Sequence, residues 1–169
     1  MMAIILEAAE HAGPMFIRAG RAKAPIIYSA GQEFKIGKSI QVIEGSDVTI
    51  IAHGLLVAEA IQASETLEAE GISARVIDMH TIKPIDRDAV IKAATETRAI
   101  VVAEEHLVDG GLGVRVAQVV GETQPCIMEF VGIQNTYAES GPPDLIFEKY
   151  GLSTNHVATA ARKALARKS

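Results

Sequence analysis

The chain is poor in three features that would point to a particular class of protein. It has one cysteine, Cys126, which excludes an intrachain disulfide and a cysteine-rich zinc site. No apolar run approaches the ~20 residues of a membrane-spanning helix. The net charge of −5 lacks the positive excess that attracts nucleic acid or an anionic membrane. We therefore expect partners other than nucleic acid and membranes, and the cysteine usage favours a reduced, cytoplasmic setting.

What remains is the composition of an ordinary globular domain. The 169 residues are 49% hydrophobic and 22% charged, which is enough for one domain with a substantial core. The first ten residues, "MMAIILEAAE", have acidic residues inside an apolar pattern and no basic lead. They predict an amphipathic helix and not a signal peptide.

The chain divides into three segments. Residues 1–18 predict a helix, ended by Gly13-Pro14, and a short strand over residues 15–18. Because a lone helix and strand cannot bury their apolar faces without a partner sheet, we interpret residues 1–18 as the last helix and strand of a truncated preceding domain. Residues 19–38 carry glycines and a proline with no sustained period, and are interpreted as a linker. Residues 39–169 form the main domain.

In residues 39–169, β-rich apolar runs alternate with helical patterns. The predicted strands are 39–44, 48–52, 74–78, 99–103 and 127–131. The predicted helices are 55–70, 89–97 with Asp86 as its cap, 110–121, a short helix after Gly141, and 157–167 with Ser153 as its cap. Strands that alternate with helices indicate a parallel sheet covered on both faces. The predicted fold class is therefore α/β, with three α/β/α layers.

Three motifs resemble one enzyme family. They are "MHTIKPID" (79–86), "VVAEEHLVDGGLG" (101–113) and "GIQNTYAESGPPDLIFEKYGLSTNHVATAARKAL" (132–165). They resemble the C-terminal domain of transketolase, which related thiamine-diphosphate enzymes share. The resemblance covers roughly residues 13–165. It implies a five-stranded, mostly parallel sheet whose first strand is antiparallel, with the 48–52 strand between the 74–78 and 99–103 strands.

The same resemblance implies a function for the parent enzyme. A transketolase moves two-carbon ketol units between sugar phosphates, as in the pentose phosphate pathway, and uses thiamine diphosphate and Mg²⁺. In the family, a Gly-Asp-Gly…Asn segment grips the diphosphate and a glutamate of the pyrimidine-binding domain activates the cofactor. The resemblance implies that residues 1–18 are the last helix and strand of that pyrimidine-binding domain, which is otherwise truncated. This chain has no Gly-Asp-Gly, and its Asp109-Gly110 belongs to a glycine turn. We expect this fragment to bind no cofactor, to be inactive alone and to support the structure. Its expected partners are N-terminal thiamine-diphosphate-binding domains or a subunit that carries them, and a second copy in a homodimer.

Two alternatives stay open. In the first, the chain is a fragment of a 2-oxo acid dehydrogenase E1 β-chain or of deoxyxylulose-phosphate synthase. In the second, it is a stand-alone regulatory ligand-binding module. The segments "GPMFIRAGRAKAP" (13–25) and "EKYGLS" (148–153) favour transketolase, and particularly the split bacterial or archaeal type.

Two arginines are candidates for binding the substrate phosphate. Arg21 stands in a small-residue–Arg–x–x–x–Pro pattern that, by resemblance, binds the sugar phosphate in transketolases. A guanidinium suits this role because it offers two parallel donors and keeps its charge. Arg18, three residues earlier, is expected to assist or to take the role instead. The alternative is a pair of solvated linker arginines.

A second candidate site is a crevice at the ends of two strands. His53 follows the 48–52 strand, and Glu104, Glu105 and His106 follow the 99–103 strand. Open α/β sheets bind ligands where such strand ends flank a switch in strand order. We therefore expect the four side chains to cluster as a regulatory crevice, able to bind a metal or to act in acid–base chemistry. The alternative is a crevice that faces another domain, with its polar groups bonded to loop backbone.

The glycines after the acidic pair suggest a further possibility. Gly110, Gly111 and Gly113 resemble a turn that cradles phosphate at the start of a helix. However, the motif lacks the lysine of a P-loop. A tight strand-to-helix connection explains the glycines without a ligand.

Overall fold

A five-stranded sheet forms the centre of the molecule. In the computed structural model, which describes residues 2–20 and 24–168, the strands are β1 (Ile40–Ile43), β2 (Val48–Ala52), β3 (Ala74–Asp78), β4 (Ala99–Leu107) and β5 (Ile127–Ile133). Their order is β1-β3-β2-β4-β5. β1 is antiparallel to β3, and the other neighbours are parallel. The predicted fold class, the antiparallel first strand and the central place of β2 are confirmed.

Helices cover both faces of this sheet. The helices are α1 (Met2–Glu10), α2 (Leu56–Glu68), α3 (Arg87–Glu96), α4 (Leu112–Glu122), α5 (Pro143–Lys149) and α6 (Thr154–Lys168). Every residue of β2 is buried, because successive side chains point to opposite layers. Ile50 packs in the layer with α2 and α6, whereas Ile51 packs in the layer with α3 and α4. Full burial of such a side chain contributes about 1.5–3 kcal/mol.

Local signals set most of the helix ends. Gly71 ends α2 at a φ of +80°, which favours glycine. The N–H of Ile72 then donates to the carbonyl of Leu67 at 2.9 Å. The Asp86 carboxylate accepts the N–H of Ala89 at the start of α3, so the predicted cap is confirmed.

The start of α6 differs from the prediction that Ser153 caps it through its hydroxyl. The Ser153 hydroxyl lies 2.8 Å from Nδ1 of the His156 ring instead. The N–H of Thr154 donates to the Glu59 carboxylate of α2 at 2.7 Å. A residue 95 positions away therefore serves this helix end, which no local pattern predicts.

The strand predicted over residues 15–18 is wrong. The structure has no strand and no sheet pairing there, and Phe16 is 89% exposed. The physical reason is that these residues have no neighbouring strand to pair with in the described chain. No helix within residues 2–20 and 24–168 has the length and apolar character needed to cross a bilayer.

Candidate functional site

The candidate site lies where β2 and β3 end and where Glu104 follows Ala103 in β4, a region that we call the carboxyl edge. In the sheet register Ala52 is opposite both Asp78 and Ala103, so His53, which follows β2, lies beside Glu104, the next residue of β4. His53 Nε2 is 3.8 Å from Glu104 Oε2. Their side chains are 18% and 3% exposed. This separation allows an electrostatic contact but is too long for a hydrogen bond.

Glu104 caps helix α4. Its two carboxylate oxygens accept the N–H groups of Leu112 at 2.7 Å and Gly113 at 2.8 Å. Burial by itself raises the pKa of Glu104, but the interaction with His53 and these two hydrogen bonds outweigh it and hold the pKa below its ordinary value. A negative charge at this position also complements the positive end of the helix dipole.

This cap explains the glycines that resemble a phosphate turn. A Cβ added at Gly111 would lie 2.1 Å from Glu104 Oε2. A Cβ added at Gly113 would lie 2.7 Å from the ring of Phe130. The space in which a bound phosphate would meet the start of α4 is thus filled by the protein's own carboxylate.

A second buried group adjoins His53 at the end of β3. The Tyr28 hydroxyl donates to Asp78 Oδ2 at 2.5 Å. Burial raises the pKa of Asp78 despite this bond and the nearby His80 and His53. Burial and the adjacent Asp78 together raise the pKa of Tyr28 as well. Burial likewise lowers the pKa of His80, so that its neutral form is favoured.

The structure brings together only part of the predicted crevice. His53 and Glu104 are neighbours, but β4 continues to Leu107, so Glu105 and His106 lie within the strand. The pairing of β4 with β5 shifts register between Ala103 and Leu107, and Glu105 is partly exposed there whereas Glu104 is buried. The His106 side chain is exposed, and its Nδ1 lies 2.9 Å from the carbonyl of Leu107. Over residues 2–20 and 24–168, no three His, Cys, Asp or Glu side chains are placed to hold a metal ion.

The two arginines differ in what can be said of them. Arg18 is exposed, and its guanidinium lies 3.4 Å from the carbonyl of Glu105, so it reaches the carboxyl edge. Arg21 lies outside the described residues. Its role as a phosphate ligand stays a prediction.

Three residues of the site were not predicted from the sequence: Tyr28, Asp78 and His80. Asp78 and His80 lie at and just beyond the end of a predicted strand, as His53 does, so the rule that selected His53 would also have selected them. Tyr28 has no such signal, because it lies 50 positions from Asp78 in a segment interpreted as a linker.

Comparison with known proteins identifies the family. The family described as "Transketolase, C-terminal domain" matches residues 37–157. The chain is 42% identical over 159 residues to the 6-deoxy-6-sulfo-D-fructose transketolase subunit SqwH of Clostridium sp. (strain MSTE9), in an alignment that covers 94% of this chain and 49% of the relative. It is 40% identical over 149 residues to an apulose-4-phosphate transketolase subunit of Phocaeicola vulgatus, in an alignment that covers 88% of this chain and 47% of the relative.

A solved structure gives the same answer. The structure described as "Split gene transketolase, inactive beta4 tetramer" superposes with a TM-score of 0.96 at 46% identity, and covers 99% of this chain and 55% of that chain. The present chain spans about half the length of the curated relatives it matches. The chain belongs to the transketolase C-terminal domain family.

Proposed function

We propose that the chain works as the C-terminal part of a transketolase-type transferase that moves two-carbon ketol units between sugar phosphates or similar anionic sugars. The observation that carries this proposal is the TM-score of 0.96 over 99% of the chain with a split-gene transketolase. Two relatives named as parts of transketolases support it. The substrates in their names, a sulfonated fructose and apulose 4-phosphate, both carry an anionic group.

In this proposal thiamine diphosphate and Mg²⁺ are held by the N-terminal thiamine-diphosphate-binding part, on the same chain or on a separate one. What supports this is the lack of the Gly-Asp-Gly segment that grips the diphosphate in the family. Among residues 2–20 and 24–168, no three His, Cys, Asp or Glu side chains come together to hold a metal ion. Both oxygens of the buried Glu104 carboxylate already accept hydrogen bonds from backbone N–H groups of α4. Toward the cofactor, the chain's own contribution is structural.

Calorimetry tests this division of roles. Titration of the chain alone with thiamine diphosphate and Mg²⁺ should give no saturable heat. The same titration of the N-terminal part together with the chain should give a binding isotherm. Micromolar binding by the chain alone would contradict the proposal.

The two arginines are proposed to bind the anionic group of the sugar. Arg18 is exposed at the carboxyl edge, where a guanidinium is free to face a ligand held by the N-terminal part. A bidentate guanidinium suits phosphate and sulfonate equally well. Arg21 takes the main part in this proposal, on the resemblance of its sequence pattern.

Assembly with a second copy belongs to the same proposal. Ile5, Leu6 and Phe16 are exposed apolar side chains in the segment before residue 21. Exposed apolar patches mark interaction surfaces, and two-fold pairing is the commonest oligomeric form. The related split-gene structure is described as a tetramer. We therefore infer a dimer or a larger even-numbered assembly, located in the cytoplasm.

Sedimentation tests the assembly. The full chain should sediment as a dimer or larger at tens of micromolar, and a chain that starts at Ala24 should dissociate more readily. If both chains sediment as monomers, residues 2–20 do not form the interface.

A further inference from the structure

Residues 24–38, which we call the strap, lie across part of the carboxyl edge. Tyr28 donates its hydroxyl proton to Asp78 Oδ2 at 2.5 Å. The Phe34 ring meets the His80 ring edge-on, with 5.2 Å between the ring centroids. Tyr28 and Phe34 also contact each other edge-on, at 5.1 Å. Two strap side chains therefore lie directly on Asp78 and His80.

The polar groups under the strap are incompletely satisfied. Asp78 Oδ1 and His80 Nε2 are both buried and have no hydrogen-bond partner in the described structure. Asp78 as a whole is 6% exposed. A buried polar atom without a partner costs folding free energy, and water would satisfy it on exposure. The unpaired atoms of Asp78 and His80 therefore oppose closure of the strap, because closure buries them.

The strap is also weakly attached. Each of its 15 residues is at least partly exposed. Its backbone hydrogen bonds, from Gln32 to Ser29 and from Lys38 to Lys35, stay inside it. Contacts with the domain run through side chains: besides Tyr28 and Phe34, Ile27 packs against the core and Lys38 lies 3.5 Å from Asp88. Segments with few buried contacts and no backbone pairing to their neighbours are those that open locally while the rest of a protein stays folded.

We propose that the strap is a detachable gate over the carboxyl edge, which opens while the sheet stays folded and exposes Asp78 and His80. The location of the strap is what makes its opening relevant to ligand binding. The strap lies beside the switch in strand order around β2, which is where open α/β sheets accept ligands. The proposal rests on the strap contacts alone and does not depend on the activity proposed for the parent enzyme.

Histidine labelling of the full chain tests the gate. Diethyl pyrocarbonate modifies accessible neutral imidazoles, and mass spectrometry reads each site separately. At about pH 7.5, where an unperturbed histidine is mostly neutral, the exposed His11 and His106 serve as internal references. His80 should react more slowly than both. Tyr28→Phe removes the hydrogen bond to Asp78 and should speed the modification of His80 about tenfold relative to His106.

Two further measurements separate the gate from a general loss of stability. Amide exchange in β2 should be unchanged in Tyr28→Phe. The control Tyr150→Phe removes a tyrosine hydrogen bond of similar length, 2.9 Å to the Glu139 N–H, and should leave His80 protected. Phe34→Leu, which removes the ring contact, should speed His80 labelling in the same direction as Tyr28→Phe.

Three results would overturn the proposal. One is labelling of His80 as fast as His106 in the unaltered chain. Another is unchanged protection of His80 in both Tyr28→Phe and Phe34→Leu. The third is faster amide exchange in β2 by the same factor as His80 labelling, because exposure would then require global unfolding.

Discussion

Gly111→Ala is the substitution that most sharply tests the role of Glu104 as the cap of α4. Gly111 has φ −89° and ψ −158°, an extended conformation that any residue adopts, so alanine brings no backbone strain. Its Cβ would nevertheless lie 2.1 Å from Glu104 Oε2. The carboxylate would have to leave its two N–H donors, Leu112 and Gly113. A hydrogen bond to a charged group is worth about 1.5–3 kcal/mol, so after partial relaxation we expect a loss of about 2–4 kcal/mol in the free energy of unfolding.

Urea unfolding at one fixed protein concentration measures this loss. The matched control is Gly121→Ala in the same helix, where an added Cβ meets no atom within 4 Å. It should stabilise by about 0.5–1 kcal/mol, as alanine does in a helix. In a Glu104→Ala background the clash is absent, so Gly111→Ala should cost less than about 0.5 kcal/mol. An equal cost in both backgrounds would refute the assignment of Glu104 as the group displaced.

Three other outcomes follow from the structure. Burial raises the pKa of Glu104, but the hydrogen bonds and His53 outweigh burial and lower it in the folded chain. The stabilisation that ionised Glu104 gives the fold should therefore be full above the unfolded pKa of about 4.3 and be lost as the pH falls through the folded pKa. Glu104→Gln should flatten that part of a curve of stability against pH, and an unchanged curve would contradict this role of Glu104. Arg75 has a side chain that is 7% exposed, with Nη2 2.6 Å from Glu96 and with Nε and Nη1 buried without partners among the described residues. Chemical denaturation should therefore show Arg75→Met within about 1 kcal/mol of the unaltered chain, and Glu96→Gln destabilised by about 1 kcal/mol because the buried charge loses its partner. In the assembled enzyme, Arg21→Ala should raise KM for phosphorylated ketoses about 10- to 100-fold and change KM for unphosphorylated ones little; equal effects on both substrates would remove Arg21 from the phosphate site.

The regular elements of the main domain could be predicted because their signals are local. Each buried strand is a short β-rich run, and α2, α3, α4 and α6 each bury one apolar face. The Asp86 cap follows from a side chain three positions before the N–H that it accepts. Strand order is not a local property, and it was available only through the family resemblance.

Parts of the site could not be predicted because they depend on distant or continued structure. The prediction ended the β4 strand at Ala103, which placed Glu104 and Glu105 together beyond it. The strand instead continues to Leu107 with a register shift after Ala103, and Glu104 is buried against the start of α4 while Glu105 is partly exposed. The bonds from Tyr28 to Asp78 and from Thr154 to Glu59 join residues 50 and 95 positions apart, and nothing near either residue marks them.

The most direct test of the central claim is a ketol-transfer assay with three samples: the chain, the N-terminal thiamine-diphosphate-binding part, and both together. Each sample receives thiamine diphosphate, Mg²⁺, a panel of ketose donors that carry phosphate or sulfonate, and an aldose phosphate as the acceptor of the two-carbon unit. The account predicts no transfer by either part alone and transfer by the mixture, with a rate that saturates as the chain approaches an equimolar ratio. Transfer by the chain alone, or a mixture no more active than the N-terminal part, would contradict it.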